Sequence, residues 1–127
     1  MDCFVAALLA MTVLLEYVWH MDGFPTFTAD NFDAEVLARP GLTVVDVWSP
    51  SCVPCRQLGK LLGQLATELP ESVRIGTVNA DENATLIARY GVRGVPTLLF
   101  FKNGAIVETR TGVDRRQVLK KAIEAHA

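Results

Sequence analysis

The feature that most constrains the fold is a strand-like segment that runs directly into two cysteines three positions apart. The segment Leu42–Trp48 (LTVVDVW) is apolar or β-branched on both faces, which is typical of a strand covered on both sides. The stretch SPSCVPC follows, and a leucine stripe at helical spacing then begins at Leu58. Cys52 and Cys55 therefore lie at a strand-to-helix junction, where such a pair can bind a metal, form a structural disulfide or exchange electrons.

Length and composition favour one packed domain. The chain has 127 residues, half of them hydrophobic and a fifth charged. A net charge of −2 provides no basic surface, so a nucleic-acid partner is not expected. Three cysteines are too few for a scaffold held together by disulfides, so we predict a core-stabilised domain with a local two-cysteine site.

Residues 1–20 differ from the rest of the chain. Residues 3–15 are apolar except for Thr12, and no Lys or Arg occurs before Arg39. This run is short for a bilayer span, and it lacks the basic start of a secretory signal. We interpret residues 1–20 as an extension of unassigned role and residues 21–127 as the domain. Membrane attachment or export through residues 1–20 remains the alternative.

Strand-like and helical patterns alternate along the domain. Strands are predicted at 24–27, Leu42–Trp48, 73–78, 97–101 and Ala105–Thr111, and a helix follows each of the first three and the last. Asn103-Gly104 predicts a hairpin between the final two strands. The order β-α-β-α-β-α-β-β-α predicts an α/β fold with a central mixed five-stranded sheet and helices on both faces.

The position of the two cysteines at the start of a helix predicts a different chemical role for each of them. At the helix N-terminus, free backbone N–H groups and the helix dipole favour the Cys52 thiolate, which makes Cys52 the candidate nucleophile. Cys55 lies on the same side of the first turn and can close a disulfide with it. Asp46, the one acid in its strand, is the candidate proton acceptor for Cys55, because burial raises the pKa of a carboxyl.

Two other interpretations of the cysteine pair stay open. Structural zinc usually takes four ligands, and the other soft candidates, Cys3, His20 and His126, have no metal-ligand spacing to the pair. No metal is therefore expected in a monomer, although a metal shared by two chains would fit the same residues. The pair can also be two inert core thiols.

Several stretches around the pair resemble the thioredoxin family, from about Phe24 to the end of the chain. They are VDVW at 45–48, CVPCR at 52–56, NAD at 79–81, YGVRGVPTL at 90–98, FKNG at 101–104, and Gly112. The resemblance implies the thioredoxin fold and a protein-disulfide reductase, a thiol–disulfide oxidoreductase that cycles between a dithiol and a disulfide. It implies no prosthetic group, protein disulfides as substrates and a thioredoxin-reductase-type electron donor. We further expect a cytoplasmic monomer.

The resemblance also implies which residues contact a partner protein. Pro96 matches the family's cis-proline, which leaves the backbone of Val95 to pair with an extended segment of the substrate. The full set of expected contact residues comprises Trp48, Val53, Pro54, Val95, Pro96 and Gly112.

Four residues depart from the family pattern. Ser51 and Val53 stand where a tryptophan and a glycine are usual, and the Ser51 hydroxyl is placed to cap the helix. Lys60 replaces a helix-kinking proline, and Thr77 replaces a buried lysine near Asp46.

Two alternative functions remain: a non-catalytic binding module on the apolar surface around Val92, Val95 and Val113, and an extracytoplasmic thiol–disulfide oxidoreductase.

Overall fold

A computed structural model describes residues 23–127, so the interpretation of residues 1–20 lies outside the described residues. The strands are β1 (Leu42–Trp48), β2 (Arg74–Asn79), β3 (Thr97–Lys102) and β4 (Ala105–Thr111). The α-helices are α1 (Val53–Ala66), α2 (Ala84–Arg89) and α3 (Arg116–His126). A single π-helical turn, Asp33–Leu37, precedes β1.

The strands form one mixed sheet in the order β2-β1-β3-β4. Strands β1 and β2 pair in parallel because α1 carries the chain back across the sheet between them. Strands β3 and β4 form an antiparallel hairpin through Asn103 and Gly104, which have φ angles of 52° and 85°. Positive φ at both turn positions is what a tight hairpin requires, so the Asn-Gly prediction is confirmed.

The predicted thioredoxin-type α/β architecture is confirmed, but the count of five strands is wrong. Residues 24–27 form only an isolated parallel bridge between Thr26 and Thr77. Two backbone hydrogen bonds flank it, from Phe27 N–H to the Thr77 carbonyl (2.7 Å) and from Thr77 N–H to the Pro25 carbonyl (2.9 Å). Pairing stops there because Pro25 has no N–H to donate and the chain enters a turn at Thr28, whose N–H donates to Asn31 Oδ1.

Each face of the sheet carries its own hydrophobic core. On one face, Leu42 and Val44 of β1 pack with Leu58, Leu62 and Leu65 of α1 and with residues of α3. On the other face, Val45 and Val47 pack with Phe27, Phe32 and residues of α2. This two-sided burial is why β1 is apolar on both faces, and it fixes the direction of each β1 side chain.

Helix α1 is continuous from Val53 to Ala66. Its buried stripe contains Cys55 together with Leu58, Leu62 and Leu65. Within residues 23–127, no helix is both long enough and apolar enough to cross a bilayer.

Candidate active site

The two cysteines of the CxxC motif form a disulfide at the start of α1. Cys52 and Cys55 are bonded to each other, and their Cα atoms lie 5.3 Å apart. Cys52 is the N-cap residue, with φ −91° and ψ 107°, and its sulfur accepts a hydrogen bond from the Cys55 N–H at 3.2 Å. Cys52 is half-buried and Cys55 is almost fully buried. One sulfur is therefore accessible while the other is sheltered.

A tight turn delivers the chain from β1 into this helix. The Cys52 N–H donates to the Ser49 carbonyl at 3.1 Å, which closes a four-residue turn with Pro50 in its second position. Proline suits that position because its ring fixes φ near the value the turn needs. The expectation that Ser51 caps α1 is wrong: Cys52 occupies the cap, and Ser51 lies exposed one residue before it.

Asp46 lies in the middle of β1 with only 3% of its surface exposed. Side chains alternate along a strand, so Asp46 points to the same face as Leu42 and Val44. That face is covered by α1, the helix that contains Cys55. The carboxyl group is thus directed into the layer between the sheet and α1.

The two strand neighbours of Asp46 are uncharged. Thr77 on β2 and Leu98 on β3 lie opposite Asp46 in the sheet register. Thr77 is itself buried, with 3% of its surface exposed. The strand neighbour of Asp46 on β2 is therefore a buried residue that bears a hydroxyl group and no charge.

The loop before β3 brings two of the predicted contact residues, Pro96 and Gly112, into contact. The Val95–Pro96 peptide bond is cis, as the resemblance implied. The Gly112 N–H donates to the Pro96 carbonyl at 2.9 Å, and the Thr97 hydroxyl donates to the Gly94 carbonyl at 2.6 Å. Gly112 has φ +79°, a conformation that favours glycine. The bond between Gly112 and Pro96 holds these two residues side by side although sixteen positions separate them.

The remaining predicted contact residues lie around the active-site turn. Trp48 ends β1 and borders a cleft that Pro50 also lines. Its indole Nε1 is buried and has no hydrogen-bond partner within residues 23–127. Val53, between the cysteines, has 63% of its surface exposed, and Pro54 is exposed as well.

A second cleft, with a volume of about 190 Å³, opens beside the active-site turn. Its floor is largely apolar and its edge carries two opposite charges; the lining residues are Ser49, Ala80, Asp81, Ile87, Val92, Arg93, Gly94 and Val95. Sequence reasoning missed Ser49, Asp81 and Arg93 as site residues. The available signal was their position after the ends of β1 and β2 and before β3, since neighbouring parallel strands end at the same edge of a sheet.

In the described part of the chain, no three His, Cys, Asp or Glu side chains are grouped closely enough to hold a metal ion. The positive observation at this site is the bonded pair of sulfurs at the start of α1. A half-buried sulfur at a helix N-cap, bonded to a sheltered sulfur, is an arrangement suited to thiol–disulfide exchange.

Comparison with known proteins agrees with this geometry. The model of the thioredoxin family matches residues 23–125. The chain belongs to the thioredoxin family. Like other thioredoxins, it is a thiol–disulfide oxidoreductase that reduces protein disulfides.

Named thioredoxins from three bacteria align with most of the chain. The thioredoxin of Rhodospirillum rubrum is 40% identical over 95 residues, covering 75% of this chain and 91% of the relative. Thioredoxin 1 of Synechococcus elongatus is 34% identical over 99 residues, covering 78% and 92%. The thioredoxin of Chlorobaculum thiosulfatiphilum is also 34% identical over 99 residues, with the same coverage.

A solved structure shares the fold. A mutant thioredoxin from Halobacterium salinarum superposes with a TM-score of 0.74 at 29% sequence identity. The match covers 84% of this chain and 93% of that one.

Proposed function

We propose that Cys52 is the nucleophile and Cys55 the resolving cysteine of this thioredoxin. The Cys52 thiolate attacks one sulfur of a disulfide in a partner protein. A Cys52–partner disulfide forms, the partner's own disulfide breaks, and the released partner thiolate takes up a proton. Cys55 then loses its proton and attacks the Cys52 sulfur, which releases the second partner thiolate. Two electrons have passed to the partner, and the Cys52–Cys55 disulfide remains.

The observation that carries this assignment is the hydrogen bond from the Cys55 N–H to the Cys52 sulfur at 3.2 Å. A donor aimed at this sulfur favours its anionic form, as does the positive end of α1. The burial of Cys55 supports the second role, because a sheltered thiol reacts with its neighbour rather than with a free partner.

We assign to Asp46 the removal of the proton from Cys55. Its support is the direction of its side chain, into the layer beneath α1, and its burial in β1. A general base must reach the proton directly or through one water molecule, and this layer is where such a path would run.

Partner proteins are proposed to contact the surface formed by Trp48, Val53, Pro54, Val95, Pro96 and Gly112. Val53 and the nearby Val113 expose 63% and 42% of their surfaces, which supplies apolar area for docking. An extended segment of the partner would pair with the backbone of Val95, next to a proline that has no N–H of its own.

The cycle requires a source of two electrons to regenerate the dithiol. A thioredoxin-reductase-type donor fits this need, and no prosthetic group enters the steps above.

We propose that the protein works as a cytoplasmic monomer. N-terminal sequencing of the native protein and its recovery from soluble and membrane fractions test the compartment, and recovery in a membrane fraction would contradict it.

The roles of the cysteines are tested with serine variants. Cys55→Ser should accumulate a stable mixed disulfide on Cys52 when mixed with a disulfide-bonded protein, and Cys52→Ser should form none. Cys3→Ser is the matched control and should reduce the substrate at the wild-type rate. If the wild type, Cys52→Ser and Cys55→Ser all reduce the substrate equally slowly, the protein is a binding module instead.

A further inference from the structure

The turn that precedes the nucleophile contains two serine side chains in contact. The hydroxyl oxygens of Ser49 and Ser51 lie 3.4 Å apart, longer than the roughly 2.5–3.0 Å usual for O–H···O hydrogen bonds, so the contact between them is a weak one. Ser49 is buried, with 8% of its surface exposed, whereas Ser51 is exposed. The exposed serine therefore has a weak polar contact with a buried one.

Ser49 contacts two later residues of this turn, Ser51 and Cys52. Its carbonyl accepts the N–H of Cys52, and its hydroxyl contacts the side chain of Ser51, the residue directly before Cys52. We propose that Ser49 is a positioning residue for Cys52: its carbonyl and hydroxyl hold the turn that presents the Cys52 sulfur to the Cys55 N–H. This inference rests on the proposed role of Cys52 as the nucleophile.

The effect on chemistry follows from the direction of one hydrogen bond. The Cys52 sulfur accepts from the Cys55 N–H only while the backbone of Cys52 keeps its extended N-cap conformation. A looser turn lets the sulfur move off this donor, and the thiolate then loses part of its stabilisation. The dithiol form becomes less stable relative to the disulfide, so the protein becomes a stronger reductant.

Charged groups near the turn are unchanged in the variants that test this idea. Asp46 lies beneath α1, Arg56 is in the first turn of α1, and Asp81 and Arg93 line the cleft that Ser49 borders. Removal of a serine hydroxyl alters none of these charges. A shift in the pH profile of Cys52 would therefore report on its hydrogen bonding.

The test measures the pH dependence of alkylation of the reduced protein, with the modified cysteine identified by mass spectrometry. Ser49→Ala and Ser51→Ala should each move the midpoint for Cys52 upward by about half a pH unit, as expected for loss of one weak hydrogen bond. The equilibrium constant with glutathione should change about threefold, which corresponds to a potential about 15 mV more negative.

A double-mutant cycle separates a shared contact from two independent effects. If the hydroxyls act together, Ser49→Ala/Ser51→Ala should shift the midpoint no further than either single change. Ser49→Thr, which keeps the hydroxyl, should restore the wild-type midpoint. The control Ser72→Ala removes an exposed hydroxyl in the loop before β2 and should leave the midpoint unchanged.

Three results would overturn the inference. They are a midpoint for Ser49→Ala equal to that of Ser72→Ala, additive shifts in the double variant, or an effect confined to KM for a protein substrate. The last would mean that Ser49 only contacts partners through the cleft that it lines. Alkylation of Cys55 in place of Cys52 would overturn the assigned cysteine roles and this inference with them, a result distinct from an unchanged Cys52 midpoint.

Discussion

Asp46 and Thr77 lie directly opposite each other on the parallel strands β1 and β2, and both are buried. Side chains at such paired positions point to the same face of the sheet. The carboxyl group of Asp46 therefore has a hydroxyl-bearing side chain as its neighbour on β2, and the charge at position 77 becomes a way to adjust its protonation.

Thr77→Lys should shift the pH dependence of mixed-disulfide resolution. An ammonium group beside Asp46 favours the ionised carboxylate, so the acidic limb of the resolution rate should move to lower pH by about one unit. Stopped-flow measurement of the release of a reduced partner from pH 5 to pH 9 gives this profile. Thr77→Val is the matched control, since it has the same shape without a charge; identical profiles for the lysine and valine variants would refute the coupling.

Asp46→Asn should slow the resolution step while leaving the first attack by Cys52 unchanged. Loss of a general base typically lowers a rate by about 10²-fold or more, so the mixed disulfide on Cys52 should accumulate. Quenching the reaction with acid and separating the mixed disulfide by mass measures it. Asp30→Asn, an exposed carboxylate in a turn, serves as the control. A normal rate of resolution in Asp46→Asn would exclude Asp46 as the base.

Gly76→Ala should destabilise the fold by about 2 kcal/mol, a typical cost of overpacking a core. A Cβ at position 76 would lie 2.9 Å from Cδ2 of Phe27 and closer still to two other carbons of that ring. Phe27 is fully buried, so its ring has little room to move away. Urea unfolding of the oxidised protein measures the change in free energy.

Gly94→Ala is the control for this overpacking. Apart from its two neighbours in the chain, no residue among 23–127 has an atom within 4 Å of a Cβ placed at position 94. Its free energy of unfolding should stay within about 0.5 kcal/mol of the wild type. Equal losses of stability in the two alanine variants would mean that contact with the Phe27 ring is not the cause.

Glu108 should make the stability of the protein depend on acidity. Hydrogen bonds from Arg110 (2.6 Å) and His126 (2.9 Å) hold the pKa of Glu108 below its ordinary value of 4.5. A lowered folded-state pKa stabilises the protein fully above pH 4.5, and this contribution is lost as the pH falls through the folded-state value.

Glu108→Gln tests this dependence. The wild type should be more stable than the variant by about 1 kcal/mol or less at neutral pH, because the group is partly exposed, and the difference should vanish in acid. Thermal unfolding between pH 2 and pH 7 measures the difference. Glu71→Gln, at an exposed position in the loop before β2, should show no such convergence; a constant gap for Glu108→Gln would contradict the assignment.

Patterns that depend on local sequence predicted most of the fold. The two-faced apolar pattern of β1, the leucine stripe of α1 and the Asn-Gly hairpin each specify a conformation without reference to distant residues. The segment 24–27 was overpredicted because a strand needs a partner that can pair along its length, and Pro25 withholds a donor. The helix predicted next became a π-helical turn, in which the Ala38 N–H donates to the Asp33 carbonyl.

In the candidate site too, features set by a short stretch of sequence were predicted, and features that depend on distant segments were not. The Cys52–Cys55 pair is predictable because its chemistry lies in one short motif. The strand that contains Asp46 is also predictable from its apolar pattern, while the role of Asp46 as a base stays a prediction. The cleft beside them was not predicted, since it is built from three segments that meet only in the folded protein. The contact between Ser49 and Ser51 was also missed, because a hydroxyl pair two residues apart is visible only once the turn is known.

The short bridge at Thr26 has a consequence for self-association. Strand β2 is an edge strand of the sheet. An uncovered edge strand exposes a row of unpaired backbone N–H and C=O groups, to which a strand of another chain can hydrogen-bond. Residues 25–27 lie along this strand and hydrogen-bond both the N–H and the carbonyl of Thr77. Pro25 has no N–H that it could donate to a second chain. A segment too short to count as a strand thus interrupts the free edge of β2 at Thr77, where another chain would otherwise pair.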